Sequence, residues 1–151
     1  MKLFILSVSL FFFNICISQN NDKAIYQSAI DTIKKTTEFI EYVNINSPKY
    51  SNFKVAENLY PICAYCGWFK DEVKCCAKST LEDLFGQKKV ADLEMLGTKN
   101  GKYTVYFTNI ENSHFIVEVM HSKKHKESLL YLFKINNETV SLIKTDKNIT
   151  K

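Results

Sequence analysis

The chain has 151 residues, with 20 basic residues that are all lysine, 16 acidic residues and a formal net charge of +4. Without arginine it has no rigid bidentate fork for phosphate or guanine, and its lysines are scattered among acids, so no nucleic-acid partner is expected. Its length suits one domain with a real core.

The first element is a leader. Lys2 is followed by an apolar run, Leu3 to Phe13, broken only by Ser7 and Ser9. Cys16 and Ser18 then stand at the −3 and −1 positions of a cut before Gln19. This is the pattern of a secretory signal peptide, and the run is shorter than the ~20 residues a membrane span needs. Residues 1–18 are therefore expected to be a signal peptide and 19–151 a single domain, secreted or periplasmic, with no membrane association after cleavage. A lipoprotein cut before Cys16 is the alternative, opposed by Asn14 and Ile15 where small residues are expected.

Asp22 to Val43 reads as one long amphipathic helix. Ile25, Ala29, Ile33, Thr36, Ile40 and Val43 form its apolar stripe, Asp22 is its N-cap, and "NINSPKY" ends it. Ser51 to Tyr60 reads as a short helix with Phe53, Ala56 and Leu59 on one side. Trp68 to Lys78 reads as another, with Phe69, Val73 and Cys76 aligned. "STLEDLFG" carries a cap at Ser79 or Thr80 and a terminating Gly86.

After Gly86 the period becomes two. Strands are expected at Val90–Gly97, Tyr103–Thr108, His114–His121, Ser128–Ile135 and Thr139–Thr145, with "KNGK" as a tight turn whose Asn100-Gly101 suits positive φ. Short polar links make the neighbours antiparallel. The expected class is α+β: a long N-terminal helix and short helices packed on a curved four- to five-stranded antiparallel meander. One sheet face holds Val105, Phe107, Phe115, Val117, Val119, Leu129, Tyr131, Phe133, Ile135, Val140 and Leu142. The other holds Tyr106, His114, Ile116, Glu118, Met120, Leu130, Leu132 and Ile143, too apolar to face water alone. It needs a cover, whether from sheet curling, the middle helices or a partner.

A helix "DKAIYQSAIDTIKKTTEFIEYV" placed before "KYTVYFTN", "HFIVEVMH", "SLLYLFKI" and "TVSLIKT" resembles the NTF2-like and cystatin-like α+β folds in element order. That resemblance implies a sheet wrapped on a helix, with a pocket or a protein-binding face. The superfamily spans enzymes, ligand binders, inhibitors and immunity proteins, so the fold does not choose a function.

"CAYCGWFKDEVKCC" gathers Cys63, Cys66, Cys75 and Cys76. An even number of cysteines in an exported chain predicts two disulfides. Pairing Cys63–Cys66 with Cys75–Cys76 needs a strained vicinal bridge. The two other pairings staple the same segments together and remain equivalent on sequence alone, the first bridge contributing roughly 3 kcal/mol in the chain-entropy model. A redox centre at Cys63 and Cys66 is the competing reading. It is opposed by the absence of any strand-turn-helix unit around the motif and of any proline downstream of Pro61. Neither the cysteines nor His121 and His125 have zinc-site spacing, so no metal and no cofactor are expected.

His114 and Glu118 share a strand face, but four residues of strand span about 13 Å, too far for direct acid–base pairing. No nucleophile elbow or phosphate loop is present, so no catalytic residue is assigned. Tyr65, Trp68 and Phe69 beside the cysteines, with Tyr106, His114 and Glu118 on the second sheet face, are the candidate binding residues. The expected function is an exported, non-catalytic binding protein of inhibitor or immunity type with a protein partner. The alternatives are a thiol–disulfide oxidoreductase and a small-ligand pocket between helix and sheet.

Overall fold

The computed structural model describes residues 22–43, 53–73, 86–90, 92–122, 124–137 and 139–149. The expected leader, the helix over Ser79–Gly86 up to its last residue, and Cys75 and Cys76 lie outside them. The class is α+β. Two helices, α1 over residues 22–33 and α2 over Thr37–Val43, accompany a mostly antiparallel sheet. Its strands are β1 (Phe53–Tyr60), β2 (Lys88–Lys89), β3 (Tyr103–Thr108), β4 (His114–His121), β5 (Lys124–Asn136) and β6 (Thr139–Ile149). They lie in the order β2-β1-β3-β4-β5-β6, so five longer strands are extended at one edge by a two-residue sixth.

The single long helix of the sequence reading is two helices. The Lys35 and Thr36 amides bond three residues back, to Thr32 and Ile33, which tightens and ends α1. Thr36 Oγ1 then accepts the Phe39 amide (3.3 Å), capping α2 from within "KKTTEF". The break resets the helical phase. Ile25, Tyr26, Ala29, Ile30 and Ile33 face the sheet from α1, whereas Phe39 and Val43 do so from α2 and Ile40 is 44% exposed. Asp22 is already helical, so it is not the cap.

Phe53–Tyr60 is a strand, not a helix. β1 pairs with β3 in parallel, Val55 opposite Val105 and Leu59 opposite Phe107. Four residues on β1 thus span two on β3, a bulge, and the residues it buries are Phe53, Val55 and Leu59 while Ala56 is half-buried. Val90–Gly97 is not a strand either: Leu93–Leu96 is one turn of 3-10 helix packed against β1. The sheet is therefore mixed: β1 pairs parallel with β3, while β2 with β1 and the run from β3 to β6 are antiparallel.

The β3–β4 hairpin closes through Asn112 (φ 48°) and Ser113 (φ 62°). The positive φ values expected at Asn100-Gly101 occur here instead, as a two-residue turn of the type I′ kind requires. Gly101 serves a different need. A Cβ on it would collide with the Lys54 backbone nitrogen, so only glycine lets this loop lie against β1. β5 and β6 run longer than expected because their polar ends, "KHKE" and "TDKNI", still pair, Glu127 with Ile149 and Leu129 with Lys147.

Every residue of the predicted first face lies in or against the main core, under α1 and α2. Tyr26 fills its centre between Phe107 (centroids 4.6 Å) and Phe115 (5.4 Å), its hydroxyl donating to the Thr108 carbonyl. The second face has its own cluster. Ile116, Leu130 and Leu132 are covered by Ile62, Phe69 and Val73, with Tyr65 against them. The cover the sequence demanded is thus the cysteine segment itself. No helix among the described residues is long and apolar enough to cross a membrane.

The two loop glycines give a paired test. Gly101→Ala should destabilise the fold by about 1–3 kcal/mol through overpacking, with a lower urea midpoint. Gly67, whose Cβ would meet nothing within 4 Å, should tolerate alanine within about 0.5 kcal/mol. Equal effects at both positions would remove the close-approach explanation.

Candidate functional site

β1 runs through Pro61 directly into a 3-10 turn, Ile62–Tyr65. A strand does therefore lead into the "CAYC" motif, contrary to the sequence reading. After this single tight turn the chain makes further turns to Val73, and the helix expected from Trp68 does not form there. Its hydrogen bonds are mostly three residues back, Trp68 N–H to Tyr65 O (3.1 Å) and Phe69 N–H to Cys66 O (3.2 Å). Pro61 suits this start, lacking the N–H that the first turn would leave unpaired. Asn109 Oδ1 accepts the Ile62 amide (3.0 Å) and pins the turn to the end of β3.

The segment divides its aromatic residues by depth. Phe69 is 0% exposed against the second sheet face, so it is a core anchor and not a surface binding residue. Trp68, its neighbour, is 37% exposed. Tyr65 reaches back over the sheet, and its hydroxyl donates to Glu118 Oε2 at 2.8 Å. Ser128 Oγ donates to the other oxygen, Oε1, at 2.5 Å. Glu118 is buried, and two O–H donors hold its two oxygens as they would a carboxylate.

Sheet register explains why these groups meet. Tyr106 on β3 pairs with Glu118 on β4, which pairs with Leu130 on β5. One step along, Met120 pairs with Ser128, placing the serine diagonal to the carboxylate. Tyr60, opposite Thr108 at the end of β1, packs edge-on against Tyr106 with centroids 5.6 Å apart. Tyr65 and Trp68 lie 6.2 Å apart on the segment side. Tyr65 and Tyr106 thus border one buried carboxylate where the cysteine segment meets the sheet, with Trp68 packed on the first ring and Tyr60 on the second.

Burial first, and then the Glu118 carboxylate, push the Tyr65 hydroxyl well above the ordinary tyrosine range. Tyr106 is raised as well, by burial and then by Tyr60. Both phenols therefore stay protonated donors at any physiological pH.

His114 belongs elsewhere. Its Nδ1 lies 2.7 Å from the Asn112 carbonyl, and it lines a cavity of about 330 Å³ with Ile62, Glu72, Val73, Glu111 and Asn112. Glu72 Oε1 accepts from Lys144 (2.9 Å), which ties the segment to β6. No hydrogen bond or ion pair joins His114 to Glu118 among the described residues, and the hydroxyls beside Glu118, those of Ser128 and Tyr65, both donate to it. Among the described residues no group of three or more His, Cys, Asp or Glu converges to hold a metal ion. A second surface cavity, about 420 Å³, lies between α2 and β6, lined by Glu38, Glu41, Tyr42 and Asp146 among others.

Cys63 is buried and Cys66 half-buried. Neither is a free thiol in the structure. Their geometry offers little to activate a thiolate, since one turn of 3-10 helix has almost no dipole to set against it.

Tyr60 and Ser128 are the site members that the sequence reading did not assign. Ser128 had a signal, since it follows the same alternation as Leu130 and Leu132 and so must share the face of Glu118. Tyr60 belongs to the same aromatic group beside the cysteines in the sequence, but its place against Tyr106 had no signal while β1 was read as a helix. No family model, no curated protein and no solved structure matches the chain.

Two measurements test this geometry. Tyr65→Phe removes one O–H donor from a buried charge and should lower stability by about 1.5–3 kcal/mol in urea unfolding, whereas Tyr42→Phe, whose hydroxyl meets the Glu127 carbonyl near the surface, should cost about 1 kcal/mol or less. Alkaline titration tests the buried phenols. Burial holds Tyr131 up at about 12, and Tyr65 and Tyr26 are raised too. An unfolded tyrosine ionises near 10, so the folded state keeps protons that the unfolded state loses. This contribution to stability is complete below about pH 10 and falls as pH rises through the folded values. Tyrosinate absorbance should rise in two phases, the second coinciding with unfolding. A single phase near 10 from all eight tyrosines in a still-folded chain would contradict the burial described.

Proposed function

We propose that the protein is an exported, non-catalytic binding protein of inhibitor or immunity type. Its contact surface is the aromatic border of Tyr60, Tyr65, Trp68 and Tyr106, and its partner is another protein. The observation that carries this reading is the depth difference between adjacent residues: Phe69 is fully buried while Trp68 beside it remains exposed. An anchored segment that holds a tryptophan at the surface keeps that side chain ordered before binding, which lowers the entropy cost of making a contact. Tryptophan and tyrosine are the residues that most often dominate such contacts. The apolar leader with its small residues before Gln19 supports export, to the periplasm or outside the cell.

In this reading Cys63 and Cys66 are bridged to Cys75 and Cys76, in either of the two non-vicinal pairings. The bridges hold Trp68 between two fixed points and serve stability, not electron transfer. The NTF2-like and cystatin-like resemblance agrees with a protein-binding role but does not require it. A ligand pocket between helices and sheet has less support, because Tyr26, Phe39, Phe107 and Phe115 fill that space.

Residues 19–151, immobilised and exposed to an envelope extract, should retain one protein at a fixed ratio. Trp68→Ala and Tyr106→Ala should each weaken that retention about tenfold or more without a matching loss of melting temperature. Thiol titration of the unreduced, denatured chain should find no free thiol. Retention unchanged by both substitutions would sink the proposed surface. A single pair that reduces readily, with a low thiol pKa, would favour the oxidoreductase.

A further inference from the structure

An open sheet has two edges, and here they are unequal. One is β2, of two residues, and the other is β6, of eleven. Among the described residues β6 pairs with β5 alone. We propose that this outer edge pairs with the same edge of a second copy of the chain, antiparallel and centred on Thr145, so that two sheets join across β6 into a symmetric dimer. The inference is independent of the aromatic border and goes beyond it.

Three observations carry it. First, the edge is open. Ile143 and Ile149 on β6 are 46% and 59% exposed, two of the five large apolar side chains at the surface among the described residues. Second, backbone donors face outward. The Lys147 amide donates to the Asp146 carboxylate at 2.7 Å, so it points away from β5. N–H groups two residues apart on a strand point the same way, so Thr145 turns its own to the open edge. Third, the charges select one register. In a two-fold antiparallel pair one residue lies opposite its own copy, and every other pairing follows from it. A centre at Lys144, Asp146 or Lys147 sets like charges opposite each other, which is destabilising. Ile143 is the unpaired residue of the β6 bulge, where the ladder is broken. A centre at Thr145 sets Lys144 of each copy opposite Asp146 of the other, an ion pair made twice. No other centre brings a lysine of this strand opposite its aspartate. Both side chains lie on one sheet face, since Lys144 is opposite Leu132 and Asp146 opposite Leu130, members of the second-face cluster.

Charged side chains on an edge strand ordinarily keep other strands away. These do so in every register that opposes like charges, and they admit the one centred on Thr145. Lys144 gives one of its three N–H donors to Glu72 and keeps others for Asp146 of the second copy. β2 offers two residues to a strand of eleven, so the contact is edge to like edge and closes at two copies. The two-fold axis of such a pair stands perpendicular to the sheet, which places both cysteine segments on the same side of the dimer.

Sedimentation of residues 19–151 should show a reversible monomer–dimer equilibrium. The seam is small, so Kd should lie on the order of 10–100 µM. Thr145→Pro removes the central outward N–H and leaves the bonds to β5, and it should weaken the dimer about tenfold or more. Asp146→Lys and Lys144→Asp should each weaken it about threefold to thirtyfold. The two together should restore it, because the exchanged charges again lie opposite each other. Trp68→Ala should leave it unchanged. If Thr145→Pro does not fold, the charge exchange still decides. A chain that remains monomeric at about 500 µM would overturn the dimer. A dimer indifferent to Thr145→Pro would overturn the edge, and one weakened by each single charge change but not restored by both would overturn the register. A monomeric chain whose retention of a protein from envelope extract is lost with Thr145→Pro would give the edge to a strand of that protein and overturn the second copy.

Discussion

Two parallel neighbouring strands cannot be joined by a hairpin. The chain must leave the end of one strand, cross a face of the sheet and return to the start of the other, which takes a dozen residues or more. β1 and β3 are such a pair, Phe53 opposite Tyr103 and Tyr60 opposite Thr108. Helices α1 and α2 already cover one face of the sheet with Ile25 through Val43. The crossover that begins at Pro61 starts on the other face with the cysteine segment, and it ends with β2 at the sheet edge and with Leu93 in the main core. Much of the second face follows from this placement. Ile116, Leu130 and Leu132 can be apolar on strands that look half-exposed, because Ile62, Phe69 and Val73 exclude water from them. Stabilisation from a fully buried side chain of this kind is about 1.5–3 kcal/mol, so the segment is held by several such contacts before any sulfur is considered.

Covering the second face sets a problem at the edge of the cover, and Glu118 lies on that edge. A carboxylate withdrawn from water is costly unless its lone pairs are satisfied. Tyr65 from the segment and Ser128 from β5 satisfy them from opposite sides. The bond from Tyr65 therefore fixes the segment to the sheet at a defined register, which packing by Phe69 alone would leave less determined. Lys144 and Glu72 make a second link from the segment to β6, but on the surface, where such a pair contributes little. The polar contact at Glu118 is the more specific of the two because its donors have nowhere else to turn.

The antiparallel part of the sheet was legible because its signals are local. Tyr103–Thr108 and His114–His121 alternate cleanly between short polar links, and both strands have the boundaries that alternation predicts. The membership of the two faces was legible for the same reason, since period two assigns every side chain once the strands are placed. β1 was not, because Phe53, Ala56 and Leu59 recur at a helical spacing, whereas the strand's alternation is interrupted between Val55 and Leu59, where its register shifts. The break in the first helix left a signal, Thr36 before Thr37 and Glu38, but an uninterrupted apolar stripe outweighed it. The ends of β5 and β6 were hidden by composition. Lysine, aspartate and asparagine suggest a loop, yet at the ends of β5 and β6 these residues pair through their backbones. The binding candidates were partly legible. Glu118 and Tyr106 were placed together by alternation, but the partner on each side came from tertiary contacts: Tyr65 across the sheet, and Tyr60 through a parallel pairing that no local pattern announces.

The cysteine segment thus carries two kinds of aromatic residue that sequence alone could not separate. Tyr65, Trp68 and Phe69 lie within five consecutive positions, and any of them could be core or contact. Turn geometry makes the distinction. With bonds mostly three residues back, successive side chains point about a third of a turn apart, so burying Phe69 in the sheet necessarily turns Trp68 away from it. Tyr65, three residues before Trp68, lies on the tryptophan's side of the turn, and its long side chain carries a hydroxyl to Glu118 at the sheet margin. Depth, orientation and polarity at this margin therefore depend on one another. Moving Phe69 out of the second face would release Trp68 from its fixed position and take from Glu118 one of the two donors that make its burial tolerable.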